Sequence, residues 1–322
     1  MDEPLTVTTP DGAIIAYEIL GAQWIGRRLP IVLVCGMTAL RGDWERLASR
    51  LAQMRPVANS SSRRPSFRLI LGNARGMGDS TFASPTKGDE ITIESLARDL
   101  VWLLATLHWK ELAICGFSMG GVVTQQLLFL PYHPQNPQSL PFRVTHVFLA
   151  ATLCATIWDP DKRYRLKIDT SAPPRPLTDE EKKAKVRPVL DSTFDSAWLE
   201  NPKNKERYEW WLSRMLIGRP THTLSKQGRA LKSFDFAGYH EKLPRDIKFL
   251  VIHGKNDTIV PYSCGEELLK RIPWACAVEI GTRPGQIPNL AFGHHWFEYF
   301  PVQIWVNVIE SFLRDSSATP RL

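Results

Sequence analysis

Short apolar runs alternating with amphipathic stretches constrain the fold of this chain more than any other feature. IVLVCG (31–36), FRLILGN (67–73), ELAICG (111–116), VTHVFLAA (144–151) and IKFLVIHG (247–254) are continuous and rich in β-branched residues, the pattern of strands covered on both faces. Between them lie helical spacings: DWERLASRLAQM (43–54), with Asp43 expected as its N-cap, ITIESLARDLVWLLATL (91–107), opening on Thr92-x-x-Ser95, and MGGVVTQQLLFL (119–130). Further helices are expected at 262–271 and 300–313, and a strand near 275–280. At the start, TVTTPDGAIIAYEI (6–19) reads as a hairpin turning at Asp11-Gly12. Strand–helix alternation requires parallel crossovers, so an α/β chain with a mostly parallel central sheet flanked by helices is expected.

The rhythm breaks from 152 to 243, where prolines, charge runs and amphipathic helical spacing replace the strands. In RYEWWLSRML (207–216), Tyr208, Trp211, Leu212, Met215 and Leu216 share one helical face. The organisation expected is therefore a core of 1–151 and 244–322 interrupted by an inserted helical cap over 152–243. PVANSSSRRPSF (56–67) reads as an exposed loop.

Composition excludes several classes. A net charge of +7 on 322 residues is modest, and the basic stretches EEKKAKVR (180–187) and NPKNKERYE (201–209) interleave acids with bases, as solvated helix faces do. No nucleic-acid partner is expected. No apolar stretch reaches the ~18 residues of a membrane span, and the opening MDEPLTVTTPDG lacks the features of a secretory signal. Five cysteines, without a C-x-x-C pair, suggest reduced thiols and a cytoplasmic setting. Pro320-Arg321-Leu322 faintly echoes a peroxisomal address.

One segment carries chemistry. Gly116-Phe117-Ser118-Met119-Gly120 follows an expected strand and opens an expected helix. A nucleophilic serine needs that context: glycines two before and two after allow a tight, strained turn, which lifts the hydroxyl above the sheet edge and sets the next N–H at a helix N-terminus. A bare G-x-S-x-G match occurs by chance; its placement between strand and helix gives it meaning.

With this segment the chain resembles the α/β-hydrolase superfamily over most of its length outside 152–243. LVCGMTALRGDW (33–44) sits where that family has a His-Gly turn, and GNARGMGDS (72–80) resembles its Asp-x-Arg-Gly-x-Gly-x-Ser segment. VIHGKNDTIVP (251–261) is similar to its acid loop, and FGHHWFEYFP (292–301) to its Gly-His turn. Cys35 stands in place of the usual histidine and Asn73 in place of the usual aspartate. The resemblance implies a triad of Ser118 as nucleophile, Asp257 as acid and His294 as base, in the chain order of this fold. The rival acid position, after the preceding strand, offers no carboxylate before Asp159. His295 competes with His294 but lacks the preceding glycine, and His253 reads as a structural histidine; His133, His146 and His240 have no partner motif. The backbone N–H groups of Met37 and Met119 would form the oxyanion hole.

Cofactors and metals are not called for: the histidines and carboxylates lack ligand spacing, and Gly76 and Gly78 do not form a dinucleotide fingerprint. Trp158, Phe194, Trp198, Tyr208, Trp210 and Trp211 fall within the expected cap. Most should pack cap onto core, with Trp211 and Met215 as first candidates for an apolar substrate pocket. The activity expected is hydrolysis of a small, largely apolar ester or lactone through an acyl-enzyme. Cofactor-free perhydrolase (haloperoxidase) and carbon–carbon bond hydrolase chemistry on the same triad are alternatives, as is a ligand receptor that retains the triad.

Overall fold

The computed structural model describes residues 3–21, 29–53, 69–84, 90–157 and 177–314, with Arg55–Pro56, Arg63–Arg64 and Arg175 as isolated pieces. Trp158, Asp159 and the terminal Pro320-Arg321-Leu322 lie outside the described residues, as does most of 56–67.

Eight strands form one sheet: β1 (Leu5–Thr8), β2 (Ile14–Leu20), β3 (Ile31–Val34), β4 (Leu69–Gly72), β5 (Glu111–Phe117), β6 (Arg143–Ala150), β7 (Lys248–Ile252) and β8 (Cys276–Ala277). Their order across the sheet is β1-β2-β4-β3-β5-β6-β7-β8. β2 pairs antiparallel with β1 and β4; every other pairing is parallel. The β1–β2 hairpin turns through Thr9–Ala13 with Gly12 at φ +95°, a conformation glycine adopts without strain.

The apolar runs divide their side chains between two cores with period two. Val32, Ile70, Leu112, Ile114, Val147, Leu149, Phe249 and Val251 face one cluster. Ile31, Leu33, Leu69, Leu71, Ala113, Cys115, Phe148, Leu250 and Ile252 face the other. The first cluster is covered by α2 (Ile93–Thr106), α3 (Met119–Phe129) and α8 (Tyr262–Arg271), the second by α1 (Glu45–Ala52) and α9 (Val302–Arg314). This two-sided burial is why the runs read as continuous rather than alternating.

Some helix starts follow local chemistry. Thr92 and Ser95 make a reciprocal capping box at α2. Asp43 does not cap α1: it lies inside a 3₁₀ turn, Arg41–Trp44, and its Oδ2 accepts the Leu40 N–H at 2.8 Å. The carboxylate closes the turn before the helix, because the chain must first bend away from the sheet edge.

Between 177 and 243 the described residues are helical, with no strand: α4 (Asp179–Asp191), α5 (Ser196–Glu200), α6 (Lys205–Arg214) and α7 (Thr221–Ser233). A buried carboxylate ties this segment to the sheet. Glu298, whose side chain is fully buried, pairs with Arg46 of α1 at 2.9 Å and Arg207 of α6 at 2.7 Å. Among the described residues, no helix is long and apolar enough to cross a membrane.

Several imidazoles are buried neutral. Burial pushes His146 down to about 4, helped by Lys248, and His240 likewise to about 4, helped by Arg271. The unfolded chain therefore takes up protons at a higher pH than the native one, near the ordinary 6.5. On account of these histidines, stability should be level between about pH 7 and 8 and fall as pH drops from about 6.5 towards 4, by up to about 1.4 kcal/mol per pH unit for a fully buried histidine and less for the half-buried His146. Thermal unfolding followed from pH 8 to 4.5 checks this; a melting temperature unchanged between pH 7 and 5 would contradict it.

Candidate active site

Ser118 directly follows β5 and stands directly before α3, with φ 53° and ψ −123°. For a residue with a Cβ this is strained backbone, and its neighbours fix it from both sides. Its N–H donates to Ala150 O at 2.9 Å, and its carbonyl accepts from Gly121 N at 2.9 Å and Thr152 Oγ1 at 2.6 Å. The flanking glycines are required by contact. A Cβ on Gly116 would lie 2.5 Å from Thr124 Oγ1, and one on Gly120 would lie 2.2 Å from Val34 O. α3 thus packs backbone against β3, and its N-terminus, with the dipole's positive end, lies beside the hydroxyl.

His294 Nε2 lies 3.0 Å from Ser118 Oγ, and His294 Nδ1 lies 2.9 Å from Asp257 Oδ2. A carboxylate only accepts, so Nδ1 carries the proton and the Nε2 lone pair faces the serine hydroxyl. Asp257 is itself held: Oδ1 accepts the N–H groups of Ile259 and Val260, each at 2.9 Å, and its side chain is fully buried. The loops bearing Asp257 and His294 are zipped together by Lys255 N–H to Leu290 O at 2.8 Å and Asn256 N–H to Phe292 O at 3.2 Å. Gly254 permits this approach, since a Cβ there would meet Phe292 O at 1.9 Å.

With this geometry in place, the comparisons with known proteins can be read. A family model for the alpha/beta hydrolase fold matches residues 30–280. The chain belongs to that family. A curated relative from Caulobacter segnis, named "Putative carbamate hydrolase RutD", is 23% identical over 295 residues, spanning 91% of this chain and 93% of its own. Among solved structures, a hydrolase from Pseudomonas aeruginosa PA01 superposes with a TM-score of 0.70 at 23% identity, covering 97% of this chain and 98% of its own. The enol-lactonase from Burkholderia xenovorans LB400 does so with a TM-score of 0.67 at 19% identity, covering 96% and 99%. At such identities the structural likeness concerns the fold.

In this alpha/beta hydrolase the rival histidines point elsewhere. His295 is buried, its ring stacked on Trp211 with centroids 4.5 Å apart and its Nδ1 2.8 Å from Thr193 Oγ1. Thr193 donates its own hydroxyl proton to Leu190 O, so it accepts from His295, and burial keeps this imidazole neutral, well below its ordinary value. His253 sits under the acid loop, bonding Val260 O at 2.9 Å, and burial lowers it too. Cys35, in the turn after β3, is also buried, and burial pushes its thiol up to about 12; it is no nucleophile.

Trp211 is buried against His295 and Phe297, and Met215 packs at the edge of the same cluster. The amphipathic face of α6 packs on this cluster through Trp211 and Leu212, with Tyr208 and Met215 partly buried at its edge. A cavity of about 410 Å³ opens elsewhere, bordered by Cys154, Lys232, Phe234, Phe236, His240 and Arg271. Sequence reasoning missed Thr152, Gln125 and the arginines at 207 and 219. Gln125 bonds Gly121 O, Leu153 O and His240. Each has at least one partner far away in the chain, and no motif spacing announces them. Among the described residues no group of three or more potential ligands could hold a metal ion.

The glycine contacts generate a paired expectation. Gly120→Ala should destabilise the fold by about 3 kcal/mol or more, because backbone rather than a flexible side chain must move. Gly228→Ala on α7 would meet only Met37 Cε at 3.6 Å, and should be neutral or stabilising by up to about 1 kcal/mol. Urea midpoints of the two variants check both signs.

Proposed function

We propose that this hydrolase of the alpha/beta fold is a serine hydrolase cleaving small, largely apolar esters or lactones through an acyl-enzyme. The observation that carries the reading is the continuous chain Asp257–His294–Ser118, with links of 2.9 and 3.0 Å. Alone, a serine hydroxyl is a weak nucleophile; an imidazole whose far nitrogen is fixed on a carboxylate can take its proton as the hydroxyl attacks a carbonyl. Charge then develops on the carbonyl oxygen, where the N–H groups of Met37 and Met119 would receive it. His294 returns the proton to the departing alcohol, and water, activated by the same imidazole, releases the acid. In a lactone the alcohol stays tethered to the acyl group and leaves with it.

Support for the second oxyanion donor comes from peptide planarity. Gly36 O accepts the Ala39 N–H at 3.2 Å, and a trans peptide points the Met37 N–H the opposite way, out of that turn. A Cβ on Gly36 would lie 3.0 Å from Ser118 Cβ, so the turn passes beside the nucleophile.

Ser118→Ala should lower kcat/KM on p-nitrophenyl acetate by about 10⁴- to 10⁶-fold with the melting temperature unchanged, and should abolish labelling by a fluorophosphonate. A variant that keeps most of its activity would exclude the reading. Asp257→Asn should cost on the order of 10⁴-fold. The Ile259 and Val260 amides hold the carbonyl oxygen of the new amide, so its NH₂ would face His294 and impose the wrong tautomer; pH-dependent kcat on the same ester measures it. Short and long acyl esters, a lactone series and aryl carbamates, assayed side by side, define the acyl group.

A further inference from the structure

We propose that Arg219 and Gln227, on the helical segment, are positioning residues that hold the oxyanion turn in shape. The inference rests on the reading of Ser118 as nucleophile and Met37 as oxyanion donor. The turn Gly36–Ala39 closes through Gly36 O and the Ala39 N–H, which puts Thr38 third of four, and Thr38 has φ +67°. That is the position and sign for which turns choose glycine, and a β-branched residue there is strained. Strain of this kind persists only where the surroundings over-determine it.

Here the determinants come from the helical segment. Arg219 Nε donates to Thr38 O at 2.7 Å, and Gln227 Oε1 accepts the Thr38 N–H at 3.4 Å, so both faces of the strained residue are held. The Arg219 guanidinium is spent on this one task. Its Nη2 pairs with Asp43 Oδ2 at 2.6 Å, both side chains being about 95% buried, and its Nη1 donates to the carbonyls of Arg214 and Ile217. Asp43 in turn takes the Leu40 N–H through the same oxygen, fixing the far end of the turn. Two more links bring the segment down beside it: Gly78 N–H to Gly218 O at 2.8 Å and Thr223 Oγ1 to Gly76 O at 3.0 Å. Neither Arg219 nor Gln227 needs to touch substrate. They act through the two peptides on either side of Thr38, the first of which adjoins the peptide that carries the Met37 N–H.

The test compares variants of the full chain on p-nitrophenyl acetate and on a boronic acid that mimics the tetrahedral state. Arg219→Ala should lower kcat about 10- to 100-fold, less than outright loss of an oxyanion donor, with KM within about threefold and boronate affinity falling in step with kcat. Gln227→Met, which keeps the shape and leaves the ion pair intact, should lower kcat about fivefold. The deciding measurement is Thr38→Gly added to each: glycine takes φ +67° without strain, so the double variants should regain most of the lost kcat. A role confined to attaching the helical segment would not be rescued by a glycine in the turn. If Arg219→Ala does not fold, the Gln227→Met pair carries the test by itself. Single variants with unchanged kcat, or losses that Thr38→Gly leaves unrepaired, overturn the proposal while fluorophosphonate labelling of the native Ser118 leaves the reading of the nucleophile standing; absence of that labelling overturns both.

Discussion

The site depends on a close backbone approach between α3 and the neighbouring strands. Gly120 lies against the carbonyls of Val34 and Cys35, and Gly116 against Gly121 and Thr124. Helix α3 can therefore start immediately after β5, with a single residue taking up the whole reversal. That residue is Ser118, and its dihedrals are the geometric residue of fitting strand, turn and helix into so little space. Three hydrogen bonds to its own backbone hold it there, while its side chain is left for His294. The core below is ordinary two-sided packing, with period-two burial on each strand.

From this point the rest of the constellation follows by sheet order. β5 is flanked by β3 and β6, and β7 lies beyond β6. The turn after β3 thus reaches one side of Ser118, and the loop after β7 the other. Asp257 sits on that loop, five residues beyond β7, and the strand-like approach of 290–292 to 255–256 delivers His294 beside it. Parallel strands bring all these loops to the same edge, the usual consequence of the right-handed crossover. A carboxylate with no accessible surface, an imidazole with one nitrogen committed and a hydroxyl on a rigid elbow form one hydrogen-bonded line.

Much of this could be read in the sequence, and the reasons are local. The strands at 31–34, 111–117, 143–150 and 248–252 were legible because burial on both faces writes itself as a continuous apolar run. Thr92 was legible as a cap because its partner is three residues away. Gly116, Ser118 and Gly120 were legible because the turn's steric demands fall within five residues. What could not be read depends on partners distant in the chain. Asp43 looks like a helix cap by spacing, yet it serves a turn and a guanidinium 176 positions later. Trp211 and Met215 lie on one apolar face, and an apolar face does not say whether it will meet a ligand or a core. Trp211 met His295.

The buried carboxylate of Glu298 has a consequence for how the helical segment can move. It is shared by Arg46, on the core side, and Arg207, on the helical segment. Swinging the segment away as a rigid body would strand a charge in an apolar setting, and stripping one partner from such a pair costs about 3–5 kcal/mol. By Boltzmann weighting, fewer than about one molecule in a hundred would be swung open at any instant from this term alone. Motion is therefore cheaper along a margin of the segment, where side chains can rotate aside while both guanidinium forks stay engaged.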